Sequence, residues 1–140
     1  MTPFLPRLTT QIEVERFWQT LIRPLGWRHR SVWFVVIGPD DLPIPAMNEI
    51  DELPDLADGL VADRLAAGLR RILDRVEPDG RLALLISRPG AGGLTDEDRC
   101  AAGSLYAGCR RHRLPVEVIH VATDTEVLPV PADDTFVLTA

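Results

Sequence analysis

LALLISRPGAGGLTDEDR, from Leu82 to Arg99, is the stretch on which the fold turns. Leu82 to Ser87 is a short apolar run whose length and composition read as a strand buried on both faces. Pro89 and the glycines behind it make a turn, and Thr95 followed three residues later by Asp98 opens a helix with a capping-box-like pair. Strand, loop and helix N-terminus in that order build the ligand site of many α/β proteins, so the loop is weighed against a phosphate, a metal and no ligand. A phosphate cradle uses backbone N–H groups at a positive helix end, usually with Lys or Arg beside it. The glycines and Arg88 are present, but Asp96, Glu97 and Asp98 fill the first turn, use the helix dipole and repel an anion. The Gly-Lys-Ser/Thr ending of a P-loop is missing as well.

The flanking segments complete an α/β pattern. SVWFVVIG, Ser31 to Gly38, is β-branched and aromatic and reads as a second buried strand. LPIPAMNEI after it reads as a short hairpin partner, pushed to a sheet edge because Pro43 and Pro45 remove ladder donors. Asp55 to Val76 reads as a helix with Leu56, Leu60, Val61, Leu65, Leu69, Ile72 and Val76 on one face. Its acids sit early and Arg64, Arg70, Arg71 and Arg75 sit late, as the helix dipole favours, so the arginines read as a solvated helix end. A further helix is expected from about Thr95 to His112. PVEVIHVAT then reads as a strand, followed by two short strands around VLPV and TFVLT. At the other end, LTTQIEVERFWQTLIRPLGW carries Thr10 and Glu13 at capping-box spacing. Val14, Phe17, Trp18, Leu21 and Ile22 recur there at helical spacing until Pro24 and Gly26 stop the pattern. The expected fold is a single-domain α/β sandwich of three-layer type over residues 1–140, with a mixed central sheet. Residues 1–28 form a helical segment packed on a 31–140 core.

Composition narrows the function classes. A chain of 140 residues with 46% hydrophobic content supports one well-packed core. The formal net charge of -6 repels nucleic acid as a whole, so no nucleic-acid partner is expected. Every basic residue is Arg. No segment approaches the roughly 20 apolar residues of a membrane span, and the N-terminus lacks a basic start with a long apolar run. Cys100 and Cys109 lie too far apart along one helix to bond to each other, which fits a reducing compartment. A cytoplasmic protein without a membrane partner is expected.

Chemistry-bearing groups are sparse. His29, His112 and His120 lie on separate elements. Cys109 and His112, one helical turn apart, have no second pair, and Arg110, Arg111 and Arg113 beside them repel a cation. Ser31, Ser87 and Ser104 lack a Gly-x-Ser-x-Gly setting, and the cysteines lack a catalytic context. No catalytic residue, metal or cofactor is expected.

From Ser31 onward the order of elements resembles the JAB/MPN metalloprotease-like domain, particularly its bacterial RadC-type branch. SVWFVVIGPDDLPIPAMNEI resembles the opening hairpin of that family, LLISRPGAGGLTDEDR its metal-site strand, loop and helix, and RLPVEVIHVAT its closing strand. Carried over by position, the two metal-binding histidines of the family's His-x-His-Pro-Ser-Gly motif fall on Ile86 and Arg88. Its Pro and Gly survive as Pro89 and Gly90, and its Ser-x-x-Asp falls on Thr95 and Asp98. The catalytic Glu falls near Arg30 or Ser31, and the closing His on His120. Asp98 alone of the metal set remains, and one carboxylate does not hold catalytic zinc. Arg88 in a ligand position also puts a fixed positive charge where the metal belongs. Metal-free relatives in that family commonly act as partner-binding subunits, so the resemblance implies an interaction or scaffolding role, with a protein partner or a second copy of the chain.

The candidate binding residues are therefore Arg88, Thr95, Asp98 and His120, with Arg88 expected to meet Asp98 across the old pocket. Candidate interaction surfaces are Phe17 and Trp18 with the nearby Trp27, and the proline-rich edge DLPIPAMNEIDELPD with Pro43 and Pro45. Homodimerisation is one use of that edge, around Pro43 to Met47. The alternative function is a metal-independent small-molecule enzyme or anion-binding domain, with Arg88 holding an anionic group and Asp98 and His120 as an acid/base pair. That alternative requires Arg88, Asp98 and His120 to line one open pocket.

Overall fold

The computed structural model describes residues 7–22, 25–27, 29–44, 48–51 and 55–135. The elements run α1 (Gln11–Leu21), β1 (Ser31–Ile37), β2 (Asn48–Ile50), α2 (Gly59–Val76), β3 (Arg81–Ser87), α3 (Asp96–Arg111), β4 (Ile119–Ala122) and β5 (Val127–Val130), with a final 3-10 turn at Ala132–Asp134. The five strands form one mixed sheet in the order β2-β1-β3-β4-β5. β3 lies at its centre, antiparallel to β1 and parallel to β4. β1 and β3 pair in full register from Ser31 opposite Ser87 to Ile37 opposite Arg81.

The long apolar runs of β1 and β3 follow from burial on both faces. Because successive side chains alternate, Leu82, Leu84 and Ile86 of β3 join Val32, Phe34 and Val36 of β1 on the face packed against α2 and α3. Ala83 and Leu85 join Val35 and Ile37 on the opposite face, beneath Val14 and Trp18 of α1 and Ile22 at its C-cap. One helix on one side and two on the other make the three-layer α/β sandwich. Tyr106 of α3 pins the second layer to the sheet edge, its hydroxyl donating to the Val130 carbonyl and accepting from the Ile119 N–H.

Local signals account for the helix ends. Thr10 caps α1 by accepting from the Glu13 N–H, and Thr95 and Asp98 form a reciprocal capping box at the start of α3. α2 begins later than its periodicity suggests, at Gly59, because the Asp58 carboxylate caps it through the Leu60 N–H. Leu56 is buried, but in the turn ahead of the helix.

The apolar face expected for α2 is corrected. The buried stripe is Ala62, Ala66, Leu69 and Leu73, whereas Leu60, Ile72 and Val76 are exposed. Small residues select this seam because α3 presents Gly108 there. A Cβ at Gly108 would lie 3.0 Å from the Ala62 carbonyl oxygen and 3.3 Å from the Ala66 Cβ. Such close approach of two helices admits alanine and glycine and turns bulkier side chains outward.

Other expectations shift in extent. β4 spans four residues, and Val116 contributes only an isolated bridge to Leu82. β2 pairs with β1 at the sheet edge as expected, though over three residues. VLPV is β5, whereas the strand expected at TFVLT, like Pro45 and Met47, lies outside the described residues apart from Thr135. Among the described residues no helix is long and apolar enough to cross a membrane.

The tight α2–α3 seam makes a direct prediction. Gly108→Val should lower unfolding free energy by about 1–3 kcal/mol through overpacking, read as a lower urea midpoint.

Candidate functional site

The parallel ladder of β3 and β4 ends with Ser87 opposite Ala122, and the Arg88 N–H still donates to the Ala122 carbonyl at 3.0 Å. Alternation then places the Arg88 side chain on the same face as Ile86, the face covered by α3. The first turn of α3 carries Asp98 to meet it. Arg88 Nε donates to Asp98 Oδ1 and Nη2 to Oδ2, each at 2.7 Å, a parallel two-bond fork. The pair is buried: Arg88 is 6% exposed and Asp98 2%.

Both groups make further hydrogen bonds nearby. Arg88 Nη1 donates to the Pro89 carbonyl and Nη2 to the Gly93 carbonyl, so one guanidinium gathers the start and end of the loop. Asp98 Oδ2 also accepts the Thr95 N–H, the return half of the capping box. Gly90 and Gly93 take positive φ values of 99° and 87°, which turns the chain tightly enough to bring those carbonyls inward. Asp124, after β4, closes the outer side: its carboxylate accepts from the Gly90 and Trp27 N–H groups, and its own N–H donates to the Gly90 carbonyl. Burial by itself would raise the Asp98 carboxyl. The Arg88 guanidinium and the Thr95 donors together outweigh it and hold the group below the usual carboxylate range.

Arg88, Thr95 and Asp98 thus converge, and His120 does not join them. Ile119 and Val121 pack with α2 and α3, so His120 between them faces α1 on the other side of the sheet. Its ring is fully buried, and Nδ1 sits 3.0 Å from the Val118 carbonyl. That carbonyl only accepts, so Nδ1 carries the proton and Nε2 is a bare acceptor without a partner. The Trp18 Nε1 donor is the other buried side-chain polar atom without a partner among the described residues, and it too lies beneath α1. Burial pushes the His120 pKa down to about 4. An acid/base pair of Asp98 and His120 is excluded by this geometry, because the sheet stands between them.

The candidate interaction residues are also corrected in part. Trp18 is 0% exposed and belongs to the core; its place on the inner face of α1 follows from the spacing with Val14 and Ile22. Phe17 lies edge-on against it, half-buried. Trp27 is half-buried too, its Nε1 donating to the Thr123 carbonyl and its ring against Trp33. Pro43 is buried and bridges to Ile37. With Gly38, Asp40, Leu42, Ile44 and Glu77 it lines an open groove of about 390 Å³ at the opposite end of the sheet from Arg88. Cys109 is buried, which pushes its thiol up to about 12 and away from reactivity. His112, one turn further on, contacts Asp63 instead.

Two groupings escape a reading of the sequence. Asp124 organises the loop from 34 residues away, with no local spacing to announce it. His29, Glu49 and Asp51 bring donor atoms within 4.8 Å of one another; Glu49 opposes Trp33 across β1 and β2, and the Ser31 hydroxyl lies within hydrogen-bond distance of both carboxylates. The alternation of Glu49 with Asp51 is its only signal. All three are exposed, and the His29 ring contacts Asp51 at 2.6 Å.

No protein-family model, no curated protein and no solved structure matches the chain.

The pair and the histidine give separable tests. Arg88→Ala strips the buried carboxylate of its counter-charge and should cost about 3–5 kcal/mol at pH 7. Asp98 has a depressed folded-state pKa, so the stability from the pair is present above the unfolded carboxylate range and lost as pH falls through the folded value. The deficit of Arg88→Ala should therefore shrink in acid, as urea unfolding at several pH values will show. His120 also titrates lower when folded than unfolded, so the unfolded chain binds more protons between about pH 6.5 and 4. Stability should fall by up to about 1.4 kcal/mol per pH unit as pH drops through that window, and His120→Leu should remove that component of the slope.

Proposed function

We propose that the chain is a non-catalytic, metal-less α/β module of JAB/MPN-like layout that serves as a protein-interaction or scaffolding unit. The single observation that supports this reading is the buried Arg88–Asp98 fork, which ties together two residues onto which the resemblance carries a metal-binding histidine and aspartate. The order hairpin, helix, strand, loop, helix, strand in β1-β2-α2-β3-α3-β4 accords with the family layout. Ile86 and Arg88, onto which the resemblance carries the family's histidines, project from β3 to the face on which Asp98 stands. These residues do not fit a metal: Ile86 offers no donor atom, Arg88 is a permanent cation, and both Asp98 oxygens are already engaged. Fold and site chemistry are separable, so an architecture whose loop is closed by an ion pair is compatible with a binding role.

The experiment restores the ligands. Ile86→His/Arg88→His should gain zinc binding through the two imidazoles and Asp98, seen as a zinc-dependent rise in thermal midpoint, while the wild-type midpoint stays unchanged. Arg88→His alone, which leaves the apolar core at Ile86 intact, should gain a weaker response. Stoichiometric zinc in the wild-type protein, or folded histidine variants indifferent to zinc, would count against the proposal.

A further inference from the structure

α2 carries an unpaired basic ridge on its outward side. Arg64, Arg71 and Arg75 are exposed and have no ion-pair or hydrogen-bond partner among the described residues. Several other arginines are neutralised: Arg70 on the same helix by Asp74, Arg81 by Asp41 and Glu117, Arg99 by Asp134, Arg111 by Asp63. The chain has 21 acidic residues against 15 basic ones, yet none of the acids among the described residues meets this row. Arg71 and Arg75 stand one turn apart, where like charges repel. The isolated fold is therefore worse off for the arrangement.

Apolar surface accompanies the charge. Among the described residues, three of the five large apolar side chains that are exposed belong to α2: Leu60 at 58%, Ile72 at 37% and Val76 at 50%. Gly68 lies midway along the ridge, three or four residues from Arg64 and Arg71, so it shares their side of the helix. A Cβ there would meet nothing within 4 Å. Packing within the fold gives no reason for a glycine, and a glycine inside a helix weakens it. Gly108 shows the contrast, since α2 crowds that position.

We infer that the outer face of α2 docks an acidic amphipathic helix of a partner protein. Its apolar side chains cover Leu60, Ile72 and Val76, its carboxylates meet Arg64, Arg71 and Arg75, and its backbone approaches closely over Gly68. Local charge decides the occupant: α2 against α2 of a second copy would set arginines beside arginines, whereas glutamates on a partner helix complement the row, and the apolar side chains beside it favour an amphipathic helix over a polyanion without apolar surface. This gives the interaction role proposed above a surface, and rests on that reading for the premise that the chain works by binding.

The full chain is titrated with a synthetic helical peptide bearing a stripe of leucines flanked by glutamates, and with the same peptide carrying lysine at each glutamate. The acidic peptide should bind with a Kd below about 100 μM and about ten-fold or more tighter than the lysine form. Arg71→Glu should weaken binding about ten-fold while raising the thermal midpoint, because the new carboxylate would pair with Arg75 one turn on. Gly68→Gln should also weaken binding without lowering the midpoint. No binding of the acidic peptide, equal binding of both peptides, wild-type affinity in both variants, or tighter binding to duplex DNA or phosphatidylglycerol vesicles would overturn the inference. The titration does not involve Arg88, so its failure leaves the non-catalytic reading standing, whereas zinc in the wild-type site would sink that reading and leave the titration untouched.

Discussion

The Arg88 guanidinium, forked onto Asp98, is the constraint that the geometry around the sheet's C-terminal end depends on. Through its main chain Arg88 extends the β3–β4 ladder; through its side chain it holds the first turn of α3 and both ends of the intervening loop. The strand, the helix and the connection between them are thus fixed by one residue. The arrangement also settles which face of the sheet α3 covers, because Arg88 and Ile86 project the same way. A buried ion pair of this kind contributes little net stability over a well-packed apolar pair, while loss of one partner is expensive. Its value lies in directionality, since two parallel charge-assisted bonds tolerate little rotation.

The opposite face is organised by different means. α1 lies over the sheet through Val14, Trp18 and Ile22, and the layer between them is apolar side chains. A donor and an acceptor, Trp18 Nε1 and His120 Nε2, are left without partners there, and both carry a desolvation cost. Hydrogen bonds hold the α2–α3 side at its loop, whereas apolar area holds the α1 side. Protonation of His120 opposes only the latter.

Much of this is legible in the sequence where the cause is local. The β1 and β3 runs are apolar without alternation because both faces are covered, and composition alone bounds them to within a residue. Thr95 and Asp98 announce the start of α3 by spacing, and Arg88 lies only ten positions from Asp98 across a tight turn. What escapes the sequence is non-local. Periodicity identifies α2 as amphipathic, but the face that is buried is decided by Gly108, on another helix, which selects Ala62 and Ala66 over leucines. Trp18 and Pro43 are legible as apolar and not as buried, since burial depends on what packs against them. The spacing of His120 from Arg88 carries no information about sheet faces until the register with Leu85 is known.

The same register bears on why an arginine stands at position 88. An apolar pair in place of both Arg88 and Asp98 would pack there at little cost in stability. It would leave the Pro89 and Gly93 carbonyls without the donors they now have, at a loop whose positive-φ glycines already make it costly to order. Arg88 meets three demands at once, the carboxylate and two carbonyls, with a planar group of five donors. Lysine, a single point charge, would satisfy the carboxylate and release the loop. The guanidinium thus keeps the loop folded against the helix, with the Asp98 carboxylate as its anchor.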